Sequence, residues 1–71
     1  MDEIIKAIES LEFGKIQLVE FDDDGICKIT KVSEGYLIEI KRGSYSGSEI
    51  YPCQYSASGA VGMLSNNFKI I

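Results

Sequence analysis

The chain has 71 residues, 45% of them apolar and 25% charged, with one proline and a formal charge of −4. That composition describes one globular domain with a small core, since a chain of this length removes only ~60% of its unfolded surface from water. It contains no histidine and only two cysteines, Cys27 and Cys53, so one copy lacks the four nitrogen or sulfur ligands of a structural zinc, and neither metal nor cofactor is expected.

Residues 2–12, DEIIKAIESLE, place Ile4, Ile8 and Leu11 on one face of a helix, with Ile5 and Ala7 at its edge and charges opposite. Asp2 and Glu3 suit the positive end of the helix dipole, and Gly14 follows the last turn. Three turns are too few to hold alone, so the apolar face is expected to pack on a sheet.

Two segments mix β-branched and aromatic residues around an Asp and Gly cluster: KIQLVEF at 15–21 and ICKITKV at 26–32. They predict a hairpin. SEG at 33–35 supplies a second tight turn, and in YLIEIKR, 36–42, Tyr36, Ile38 and Ile40 alternate with Glu39 and Lys41 as a half-buried strand requires.

From residue 43 to 67 the chain turns to Ser, Gly and Tyr with little charge. EIYPCQY, 49–55, suggests a fourth strand that Pro52, lacking an N–H, confines to an edge or bulge. Ala57, Ala60, Val61 and Leu64 stand at helical spacing, but Gly59 and Gly62 each weaken a helix by ~1 kcal/mol relative to alanine. A loop with at most a short helix is therefore expected at 57–65. FKII, 68–71, predicts a closing strand. The fold class is α+β: one N-terminal amphipathic helix packed on a small antiparallel β meander of three to five strands, in a single domain, 1–71.

Three aspartates, Asp22, Asp23 and Asp24, precede Gly25. An EF-hand frame set by that glycine would put Lys31 at the twelfth position, where calcium needs a carboxylate. A hairpin turn accounts for all of these residues, because Asp tolerates turn conformations and Asp-Gly is a strong hairpin signal. Cys27 has no histidine to activate it, and Lys28 points to the other face of the strand. Both Cys27 and Cys53 read as small buried hydrophobes.

The segment SASGAVG, 56–62, offers Ser56, Ser58, Gly59 and Gly62 as a ligand loop for a small anionic metabolite or nucleotide, but it lacks the lysine of a phosphate loop. Tyr45, Tyr51 and Tyr55 stand among serines and glycines, the composition of adaptable binding surfaces. With no lysine or arginine between Arg42 and Lys69, nucleic acid is not an expected partner.

Residues 1–24 carry eight acids against two lysines, and residues 25–71 three acids against five bases. The acidic half suits a partner with a basic surface, though a solvated face explains it as well. No apolar run reaches the ~20 residues that cross a bilayer, and with no leader ahead of the first helix a cytoplasmic setting is expected. No catalytic constellation is present, so the expectation is a non-enzymatic interaction module, an inhibitor or adaptor, binding another protein through Tyr45, Tyr51 and Tyr55 and the tip Asp22, Asp23 and Asp24. A metabolite or nucleotide binder using Ser56, Ser58, Gly59 and Gly62 is the alternative. A homo-oligomer is the natural supplement to so small a core.

Overall fold

The computed structural model describes residues 2–22, 24–64 and 67–71, with Asp2 and Leu64 described in backbone only. The element order is α1 (Asp2–Glu9), β1 (Ile16–Phe21), β2 (Ile26–Val32), β3 (Gly35–Arg42), β4 (Tyr45–Tyr51), α2 (Gln54–Leu64) and β5 (Phe68–Ile70). The strands form one antiparallel sheet in the order β4-β3-β2-β1-β5. The α+β class and the meander are thus observed: β1 to β4 are sequential neighbours, and β5 joins the far side of β1 after α2.

Tight turns set the register. In the first hairpin the Phe21 N–H donates to the Gly25 carbonyl at 2.8 Å and the Asp24 N–H to the Phe21 carbonyl at 3.2 Å. Asp24 takes the left-handed conformation, φ 66°, which aspartate tolerates better than most residues. Asp23, the middle residue of the expected acidic tip, lies outside the described residues. Val32 pairs with Gly35, where φ is 137° and an added β-carbon would run into the Tyr51 carbonyl oxygen. Only glycine fits where β3 meets the end of β4. Arg42 pairs with Tyr45 across a two-residue turn that has Gly43 at its first central position, φ 61°, as a type II′ hairpin requires.

Three boundaries differ from expectation. The first helix ends at Glu9 rather than residue 12. Ser10 turns its hydroxyl onto the Ala7 carbonyl at 3.1 Å, and the Leu11 N–H bonds back only three residues, to Ile8. Both contacts tighten and close a last turn. The fourth strand is 45–51 rather than 49–55, so Pro52 ends the strand instead of interrupting it. The expected loop at 57–65 falls within an 11-residue helix up to Leu64, while residues 65 and 66 lie outside the described ones.

Packing explains that helix. Ala57 and Val61, one turn apart, are fully buried, and α2 lies against α1, whose Ile4 and Ile8 are fully buried in the same cluster. Small residues let the two helices approach closely, and the burial outweighs the propensity lost at Gly59 and Gly62. The cluster also holds Leu11, Val19, Phe21, Cys27, Ile29, Tyr36 and Ile38, with Ile40, Tyr51, Phe68 and Ile70 packed against it. All of the strand residues in this set stand on one face of the sheet, and no described helix or loop covers the other face.

Candidate functional site

Strand β4 lies at the edge of the sheet and pairs only with β3 among the described strands. Counted from the two-residue turn by the alternation of an antiparallel ladder, Tyr45, Gly47, Glu49 and Tyr51 bond to β3, while the N–H and C=O groups of Ser46, Ser48 and Ile50 point to the open edge. Backbone groups in that position are a template for another strand. The residues of β4 are small and polar at its centre, SGSE, and carry no lysine to repel such a strand.

The helix-side face of β4 carries the tyrosines. Tyr45, Gly47, Glu49 and Tyr51 follow one another at the two-residue spacing of a pleat, and together with Ile38, Ile40 and Ser48 they line a depression of about 280 Å³. Tyr45 is 60% exposed. Its ring lies along the strand with the hydroxyl over Gly47, at a place where any larger residue would push it away. Tyr51 is half-buried against the core. Its hydroxyl hydrogen-bonds to the Glu49 carboxylate, which together with desolvation raises its pKa above the usual phenol value. The floor is apolar, one wall is aromatic and the one charge in the hollow is negative.

The other expected site residues are distributed differently. Tyr55 is exposed in the first turn of α2 and does not line this depression. Asp22 and Asp24 are exposed at the β1–β2 turn, which the register places at the same end of the sheet as the β3–β4 turn and Tyr45. Among the described residues no group of three or more His, Cys, Asp or Glu side chains is placed to hold a metal ion.

The expected ligand loop is not a loop. Ser56, Ser58, Gly59 and Gly62 all lie in α2, where backbone N–H groups past the first turn are committed to the helix. Ser58 is buried and donates its hydroxyl to the Tyr55 carbonyl at 2.9 Å, and the Ser56 hydroxyl donates to the Cys53 carbonyl at 3.1 Å. These groups are satisfied internally, so they build no cradle.

No protein-family model, curated protein or solved structure matches the chain. The surfaces themselves carry the functional argument.

The two cysteines have opposite environments. Cys27 is fully buried, and burial pushes its thiol up to about 11. Cys53, expected to be buried, is partly exposed just ahead of α2, where the Ala57 N–H donates to its carbonyl at 3.1 Å. The 3.5 Å contact of its Sγ with the Ser56 hydroxyl oxygen, together with the backbone N–H groups of Ser56 and Tyr55, lowers its pKa. The sequence signal for this was Pro52, which lacks the N–H to continue β4 and leaves Cys53 to cap α2.

A second surface escaped the sequence reading. On the uncovered face of the sheet, Ile50, Leu37, Thr30 and Ile16 form one row across β4, β3, β2 and β1. Ser48, Glu39, Lys28 and Leu18 form the next row, and Ser46, Lys41, Ile26 and Glu20 the third. Ile16 is 52% exposed and Ile50 47%. Lys28 and Glu39 form an ion pair at 3.6 Å with both side chains nearly half exposed. The signal was present in the sequence: β1 and β2 are apolar at both parities, as though both faces of the sheet met other surfaces.

Proposed function

We propose that this protein is a non-enzymatic interaction module of the cytoplasm, acting as an inhibitor or adaptor that takes an extended segment of another protein along β4. The observation that carries the reading is the coincidence, on one strand, of an open hydrogen-bonding edge and an aromatic depression beside it. Strand addition of this kind uses main-chain bonds for affinity and side-chain pockets for specificity. The single charge among the residues lining the depression, Glu49, favours a segment bearing a lysine or arginine at that position, while Arg42, the register partner of Tyr45, offsets Asp22 and Asp24 at that end of the sheet.

Capture from a lysate of the source cells tests this. Tyr45→Ser and Glu49→Lys are expected to lose the partner at least tenfold, on the scale of an aromatic anchor or a reversed charge at an interface, whereas Tyr55→Ser is expected to retain it. Tyr51 makes a poor probe because it also packs on the core. Equal capture by wild type, Tyr45→Ser and Glu49→Lys would remove the assignment to β4.

A further inference from the structure

We propose that the uncovered face of the sheet is a self-association surface, pairing with the same face of a second copy about a two-fold axis that runs along the strands between β2 and β3. This surface is distinct from the edge and depression of β4, which stay open in such a pair.

Three properties of the face point to a second copy. The first is charge. The axis lays β2 of one copy over β3 of the other at the same level, so Lys28 faces the second copy's Glu39 and Glu39 faces its Lys28. The pair at 3.6 Å then becomes a ring of four alternating charges. The second is size. β1 is laid over β4, which brings Leu18 over Ser48 and Glu20 over Ser46. The face is hollowed by about 570 Å³ along Leu18, Ile26, Lys28, Glu39, Lys41 and the serines of β4, and the larger side chains of β1 drop into the side left low by those serines. The third is apolar matching, because the row Ile50, Leu37, Thr30 and Ile16 meets itself in reverse, Ile16 on Ile50 and Leu37 on Thr30.

The area fits a weak pair. Four overlapping strands at ~4.8 Å spacing and seven residues at ~3.3 Å rise cover roughly 19 by 23 Å. Two such faces come to about 900 Å² in plan, in the range of transient associations rather than permanent dimers. Stacked sheets of this kind sit about 10 Å apart with strands turned by some 30°, and the matching survives that rotation best at its centre, where Lys28 and Glu39 lie.

Sedimentation equilibrium of the wild-type chain and charge variants is the test. From about 10 µM to 1 mM, the range suited to a weak interface, the wild type should rise from its monomer mass of 7.9 kDa toward twice that value. Lys28→Glu and Glu39→Lys each juxtapose like charges and should weaken the pair about tenfold or more. An equimolar mixture of the two should associate again, because every introduced Glu then meets a Lys. Circular dichroism should show both variants folded, as the pair is largely solvated. Ile50→Lys, outside the charge ring, should also weaken the pair. A wild type that stays monomeric, or a mixture no more associated than its components, overturns the proposal. So does a dimer that survives Ile50→Lys and is lost in Ser48→Pro, because that dimer forms along the β4 edge.

Discussion

The two faces of the sheet are built from the same strands, residue by residue, yet they answer to different physics. On the helix side Val19, Cys27, Ile29 and Ile38 are sealed from water together with Ile4, Ile8 and Val61. On the other side Ile16, Leu18, Ile26 and Ile50 keep at least a third of their surface in water, and an ion pair stands in their midst. The lesson is that apolar character alone does not separate residues that hold the chain from those available for contact. Burial separates them, and it predicts different costs for the same kind of substitution.

The sharpest test of that contrast is Ile29→Ala, which removes a fully buried side chain at the centre of the sheet. It should cost about 2–5 kcal/mol, enough to unfold much of so small a domain, as read by urea denaturation. The next effect comes from Cys27 on the same face. Its thiol titrates near 9.0 in the unfolded chain and about 11 when folded. Between those values the unfolded chain has released a proton that the folded chain retains. Stability from this group is therefore full below about pH 9 and falls by roughly 2–3 kcal/mol as pH rises to about 11. The difference in stability between wild type and Cys27→Ala should narrow over that window, and a constant difference would contradict the burial of the thiol.

On the uncovered face, Ile16→Ser should change monomer stability by less than about 1 kcal/mol. A loss as large as that of Ile29→Ala would mean that the two faces are not distinct. Cysteine labelling gives the finest discrimination. With limiting iodoacetamide near neutral pH, Cys53 should be alkylated first and Cys27 only after unfolding, as mass spectrometry of peptides would report. Labelling at equal rates would place Cys27 nearer the surface than the fold has it.

Much of the sheet was legible in the sequence because its local signals agree with one another. β2 begins at Ile26 and ends at Val32, where its apolar run does, and the turn glycines Gly35 and Gly43 take positive φ. The helix α2 was obscured because its evidence is tertiary. Gly59 and Gly62 argue against a helix locally, and only the burial of Ala57 and Val61 beside α1 outweighs them. β4 was misplaced for a related reason, since YSGSEIY has weak strand character of its own and is held by its register with β3. Of the candidate site, Tyr45 and Tyr51 do come to line one depression. Tyr55 does not line it, and the expected loop at 56–62 lies within α2. Spacing along the chain gave no way to tell these cases apart before the strand boundaries were known.

Strand addition at β4 is read most plainly by residue-resolved amide exchange, comparing the free chain with the chain bound to its captured partner. Strand addition predicts that the N–H groups of Ser46, Ser48 and Ile50, open in the free chain, gain protection together, while those of Gly47, Glu49 and Tyr51, already bonded to β3, change little. Protection that leaves Ser46, Ser48 and Ile50 unchanged and appears elsewhere would contradict the assignment of β4 as the binding strand.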